Sequence, residues 1–124
     1  MANLCNFIFY SISKIEEDTN ETNFVAKGYK DVKDDKTIWY FKYENEYKLI
    51  IKDNELEVFV NESNYLFNVN KKTEAYIKND NYLYKASILT NSLVIKDNEI
   101  DLNYTLDFNS FKGNYRINVK LSQQ

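Results

Sequence analysis

The segment from Ile100 to Phe108 reads I-D-L-N-Y-T-L-D-F, apolar and polar residues in strict turns. Side chains of a β-strand point to opposite faces with a period of two, so this segment has one dry face and one wet face. A helix would scatter Ile100, Leu102, Tyr104 and Leu106, because a helical apolar stripe needs a longer period. Similar alternation recurs along most of the chain. Proline is absent and there are only two glycines, Gly28 and Gly113, so nothing marks a linker or an internal boundary. Turns fall instead on Asn, Asp and Lys clusters. Asn and Asp tolerate left-handed backbone and bond their own neighbouring peptide groups.

The pattern predicts strands over Asn6 to Glu16, Glu21 to Val32, Thr37 to Glu44, Tyr47 to Lys52, Glu55 to Asn61 and Tyr65 to Asn70. Thr73 to Lys78 either continues the sixth or stands alone. A long strand follows over Tyr82 to Lys96, kinked near Asn91, then Glu99 to Phe108 and Tyr115 to Leu121. The polar runs E-E-D-T-N after Ile15, K-D-D-K from Lys33, N-D-N from Asn79 and N-S-F-K-G before Asn114 read as turns. Gly28 falls inside the second strand, where a glycine marks a bulge or a bend. I-K-D-N-E-L-E-V at Ile51 to Val58 is echoed by I-K-D-N-E-I-D-L at Ile95 to Leu102, which predicts two hairpins built alike. No helix is predicted. Eight to ten strands joined by short turns must each bury a face; a two-layer sandwich or a closed barrel does this, and meander connectivity with long strands favours the barrel, which also removes exposed edges.

At 124 residues the chain is read as one domain, 1–124. An aromatic share of 16% and an apolar share of 44% suffice for a real core. The richness in Lys, Asn, Ile and Tyr follows AT-rich codons and reads as the mark of a low-GC bacterial genome. The net charge is −3 and Arg116 is the only arginine, which argues against nucleic-acid recognition. The start, M-A-N-L-C-N-F-I-F-Y, lacks a basic region and a small-residue cleavage site, and no apolar run is long enough to span a membrane. The expected location is the cytoplasm, with no membrane partner.

Chemistry is limited by what is missing. There is no histidine, so the usual neutral-pH base and the commonest metal ligand are gone together. Cys5 is the one cysteine, which excludes an internal disulfide and a Cys/His zinc site; with no basic neighbour it reads as structural. No glycine-rich phosphate loop occurs. The pairs Asp53/Glu55, Asp97/Glu99 and Asp34/Asp35 lack calcium-loop spacing and read as solvated turns, as does the run Glu16 to Asp18. No catalytic residue, metal or cofactor is expected.

The aromatic strand is the best lead. Ile38, Tyr40 and Lys42 point one way, and Trp39, Phe41 and Tyr43 the other, so neither face is polar. One face fills the core. The other is covered by a neighbouring segment, lines a ligand cavity, or is an exposed patch that binds a partner or a second copy. Phe7, Phe9, Tyr10 and Ile12 make the first strand similarly two-faced.

Several features come in a familiar order: Gly28 soon after an acidic turn, a strand ending in Tyr43-Glu44 followed by a hairpin strand, Thr90-x-x-Leu93, and Ile100-x-Leu102-x-Tyr104-x-Leu106 before a last alternating strand. This resembles the YwiB-like family of small bacterial proteins of unknown function, and the likeness runs over nearly the whole chain. Ala86 and Ser87 stand where that family has a glycine, and Glu62 and Ser63 where it has an arginine-glycine pair. The resemblance implies a calycin-type, lipocalin-like barrel and supplies no catalytic residues.

The sequence therefore leads to an all-β, lipocalin-like barrel of about eight to ten strands. The first functional expectation is a non-enzymatic binding module for a small apolar or amphipathic ligand in the barrel mouth, with Trp39, Tyr40, Phe41 and Tyr104 as wall residues. The alternative is a structural or protein-interaction module acting through an aromatic outer surface, as a homodimer.

Overall fold

Alternation becomes ten antiparallel strands: β1 (Ala2–Ile15), β2 (Asp18–Lys33), β3 (Lys36–Tyr43), β4 (Asn45–Lys52), β5 (Glu55–Val60), β6 (Ser63–Asn68), β7 (Thr73–Asn79), β8 (Tyr82–Ile95), β9 (Glu99–Phe108) and β10 (Phe111–Gln123). The computed structural model describes residues 2–108 and 111–123. Each strand pairs with its sequence neighbours, and β10 returns to β1, closing an up-and-down barrel. The closing ladder runs without a break from Cys5 opposite Gln123 to Ile15 opposite Gly113.

The expected all-β closed barrel is the observed one, at the upper end of the expected strand number. Thr73 to Asn79 is a strand of its own, and the register of β8 slips between Thr90 and Ser92, at the kink expected near Asn91. Three turns are shorter than expected. Asp18, Thr19 and Asn20 belong to β2, Lys33 and Lys36 end and begin strands, and Phe111 to Gly113 belong to β10. Asp18, Thr19 and Asn20 are exposed although they belong to a ladder, and a polar run in the sequence cannot distinguish such a strand end from a turn. Asn109 and Ser110 lie outside the described residues. The echoed segments keep one register, Ile51 opposite Leu56 and Ile95 opposite Ile100. Their turns differ: Asp53 is left-handed, whereas the carbonyl of Asn98 accepts the N–H of Leu121 and that of Asp97 accepts Lys30 Nζ.

Two-residue hairpins match the right-handed twist of their strands when the first turn residue has positive φ. Glu16, Asp34, Asp53, Asn61 and Asp80 adopt φ between 51° and 57°, and Glu44 between β3 and β4 reaches 63°. None is glycine. The chain thus carries left-handed backbone on Glu, Asp and Asn, of which Glu is the least suited.

Gly28 answers a different need. Its φ is not left-handed. It sits where β3 joins β2, opposite Phe41, and a Cβ there would overlap the Tyr40 carbonyl oxygen and stand 2.8 Å from Phe41 Cα. The glycine permits a close approach of two backbones. Gly113 leaves room for the Tyr115 ring, which would lie 2.8 Å from an added Cβ.

Two substitutions test these assignments with opposite signs. Gly28→Ala forces β2 from β3 and is expected to cost several kcal/mol or prevent folding, read by urea denaturation and far-UV circular dichroism. Glu44→Gly removes a left-handed penalty of about 1–2 kcal/mol against a glycine entropy cost of about 0.5–1, so a small rise in melting temperature is expected. A fall would refute the strain assigned to Glu44.

Candidate functional site

Inward-facing side chains fill the barrel. Phe7 and Phe9 from β1, Phe24 from β2, Trp39, Phe41 and Tyr43 from β3 and Tyr47 from β4 make one stack of rings. Phe9–Phe24 and Phe24–Tyr43 stack with centroids 4.6 Å apart, Phe7–Phe41 at 4.8 Å and Phe41–Tyr47 at 5.0 Å. Phe7 meets Trp39 at a tilt, 5.9 Å away. Such pairs contribute about 0.5–1.5 kcal/mol each beyond area burial. A second cluster joins Phe67, Tyr104 and Tyr115, with Tyr104 stacked on Tyr115 at 5.0 Å and tilted against Phe67 at 4.7 Å. Burial pushes the phenols of Tyr65, Tyr104 and Tyr115 above their ordinary pKa; for the first two, neighbouring tyrosines add to the shift. Cys5 is fully buried and directed inward, its thiol near the Asn3 carbonyl oxygen at 3.4 Å.

These rings leave little room. The apolar cavity between β1, β4, β5, β9 and β10 is about 60 Å³, lined by Phe9, Tyr47, Leu49, Leu56, Ile100, Leu102 and their neighbours. Ligand sites usually need roughly 300 Å³ or more, and a cavity of about 150 Å³ holds benzene. The lumen is a packed core. Trp39 Nε1 and Thr90 Oγ1 are buried in it with no hydrogen-bond partner among the described residues.

The four sequence-derived wall residues do not share a wall. Trp39 and Phe41 lie in the first cluster and Tyr104 in the second, all three inside. Tyr40 faces outward and stacks on Tyr29 at 5.1 Å. Partial desolvation, with the nearby Glu46 carboxylate, raises its pKa. From Tyr40 a row of paired outer residues runs in both directions: Leu4, Tyr29, Tyr40, Lys48, Phe59. The adjacent row holds Asp31, Ile38, Ile50, Glu57 and Leu66. Ile38 is buried yet stands apart from the lumen cluster, so these outer residues form a small apolar layer of their own. Two depressions flank Ile50. One, about 260 Å³, is lined by Tyr40, Glu46, Lys48, Phe59 and Asn61; the other, about 320 Å³, by Lys36, Lys52, Glu55, Glu57 and Leu66 among others.

The opposite outer wall is built differently. On β9, Thr105 donates to Asn114, Asn103 to Ser92, and Asp101 receives Arg116 in two bonds of 2.9 and 3.3 Å, while Asn118 donates to Glu99. Its polar groups are spent on one another. Tyr40 was visible in the sequence as half of a two-faced strand, but Ile50, Phe59 and Leu66 were missed. A signal existed: each is the middle of an apolar triplet, Leu49-Ile50-Ile51, Val58-Phe59-Val60 and Tyr65-Leu66-Phe67, like Trp39-Tyr40-Phe41. The outer members of each triplet turn inward, so the middle one is forced outside.

Among the described residues no cluster of three His, Cys, Asp or Glu is placed to hold a metal. Among the same residues no helix is long and apolar enough to cross a membrane.

Two measurements test the lumen. Thr90→Val replaces an unpartnered hydroxyl by a methyl and is expected to raise stability by about 1 kcal/mol; a loss would show that the hydroxyl is satisfied. Tyr104 ionises near 10 when unfolded and higher when folded. Its contribution is therefore complete below pH 10 and is lost as pH rises further, because the unfolded chain then releases a proton that the native one keeps. Melting curves should decline above about pH 10, less steeply for Tyr104→Phe, with tyrosinate absorbance tracking unfolding.

No family model and no curated protein matches the chain. Among solved structures it is similar to the crystal structure of the ywiB protein from Bacillus subtilis, with a TM-score of 0.73 and 14% identity over 98% of this chain and 94% of that one. At that identity the likeness establishes the fold, and the chain has the YwiB-like barrel that its sequence resembles.

Proposed function

We propose that this protein is a non-enzymatic interaction module whose contact surface is the outer face of β3–β6. One observation carries the reading: four successive strands place an apolar residue on the outside, around two depressions, while the lumen is filled by its own side chains. The occupant is a polypeptide with an apolar anchor seated against Tyr40, Ile50 and Phe59, with polar groups meeting Glu46, Lys48 and Lys52 at the rim. Tyr40, Ile50, Phe59 and Leu66 are half-buried, and an apolar cluster of this kind rimmed by polar groups supports a contact surface. Neither nucleic acid nor a membrane enters this reading. A small apolar ligand inside the barrel has the apolar lining of the inner cavity in its favour, but would have to displace rings that hold the fold.

Photocrosslinking in cells distinguishes the two. p-Benzoylphenylalanine at Phe59 is expected to capture a polypeptide, at Thr105 on the polar wall nothing, and Ile50→Lys should abolish the Phe59 product without changing circular dichroism. Equal capture at both positions, or none at Phe59, would overturn the reading. Saturable quenching of Trp39 by a hydrophobic probe would favour the lumen instead.

A further inference from the structure

The barrel is closed, but one strand outruns the ladder to its neighbour. β2 pairs with β1 over its whole described length to Asp31, from Asp18 opposite Ile15. It meets β3 only from Gly28 onward. The segment Asp18 to Lys27 therefore has no hydrogen-bonded strand on its second side among the described residues, although β3 runs on to Tyr43, whose ring stacks on Phe24. Ile15 and Asp18 close a two-residue turn as a hydrogen-bonded pair, so even-numbered residues of β2 spend their N–H and C=O on β1. Thr19, Glu21, Asn23 and Val25 turn theirs outward. Natural edges are blunted by proline, bulges, inward charges or runs of lysine. This one carries no proline, and its register with β1 is unbroken.

We infer that this edge pairs antiparallel with the same edge of a second copy of the chain. The inference is independent of the outer aromatic face. A two-fold axis perpendicular to the sheet keeps inner residues opposite inner residues. With the axis at Thr22, Thr19 meets Val25 of the other copy and Asn20 meets Phe24. The turn of each copy then ends beside the Lys27 of the other, where β3 takes over the edge. An axis at Phe24 would drive the second strand into β3, which already occupies the side of Gly28. Charge favours the same register. The turn carries Glu16, Glu17 and Asp18, and Lys27 ends the open segment; none of these four has an ion pair among the described residues. Glu17 meets Lys27 twice across the symmetric contact. Val25, 63% exposed on one protomer, gains a cross-strand neighbour. Pairing also brings the outer rows of two barrels, each crossing β2 at Tyr29, onto one continuous sheet.

Sedimentation velocity across a wide concentration range, with amide hydrogen exchange at both extremes, tests this. The expected result is a monomer–dimer equilibrium in which the amides of Thr19, Glu21, Asn23 and Val25 become protected as dimer forms. Lys27→Glu replaces two attractions by two repulsions and should weaken the dimer about tenfold. Glu17→Lys should do the same, and the two together should restore it. Asn23→Pro removes an outward N–H without touching the β1 ladder and should give a monomer; the charge variants, at exposed positions, keep the test valid if the proline variant unfolds. A chain that stays monomeric, or a dimer indifferent to these changes with unprotected β2 amides, overturns the inference. A dimer dissolved by Ile50→Lys but not by Lys27→Glu overturns it too, and places self-association on the outer aromatic face.

Discussion

The ladder between β1 and β10 is the contact on which the rest depends. It joins residues near the two ends of the chain, Cys5 with Gln123, and so closes a loop of nearly the full length. The entropy cost of such closure grows only slowly with length, but it must be met before any non-local contact rewards it. β1 meets that cost from both edges and the inward face of one strand. Its backbone binds β10 and β2, and its Phe7 and Phe9 bring rings from β2, β3 and β4 into one stack. Without that strand neither the sheet nor the ring stack closes.

Filling the lumen has a consequence for function. Ten strands enclose more space than aliphatic side chains alone would readily occupy, and aromatic rings take it up. What remains is a cavity of about 60 Å³ with apolar walls. The interior is thereby committed to stability, and the proposed recognition is left to the exterior. The exterior is not uniform. On β9 and β10 the outer side chains form cross-strand hydrogen bonds with one another, such as Asp101 with Arg116, while on β3–β6 such bonds, Asn64 to Glu57 and Asn68 to Glu55, share the face with Tyr40, Ile50, Phe59 and Leu66. Sheets that pack on one face only should be polar on the other. The departure from that rule on four neighbouring strands is the physical basis of the proposed contact surface.

Turn chemistry and edge protection follow from the same economy of residue types. With no proline and two glycines, the hairpins place Glu, Asp and Asn in left-handed backbone, and the glycines are kept for Gly28 and Gly113, where backbone or ring approaches too closely for a Cβ. The first hairpin extends past the ladder with β3, which leaves the acidic tip and the outward peptide groups of the first part of β2 without a ladder partner among the described residues. Closure removes edges only where strands are equally long, and here they are not: β2 has 16 residues and β3 has 8.

By itself the sequence determined the strand-rich fold, most strand positions, the kink at Asn91 and the inward set Ile100, Leu102, Tyr104 and Leu106, because alternation is a local property with a period no helix shares. It also excluded histidine and disulfide chemistry by count. Tertiary structure decided which face of Trp39-Tyr40-Phe41 turns inward, since both faces are apolar and a slip of one residue exchanges them. It decided that the barrel is filled and that β2 keeps an open side. Those outcomes depend on how the strands pair and on how far each ladder runs, and pairing joins residues that no local pattern relates.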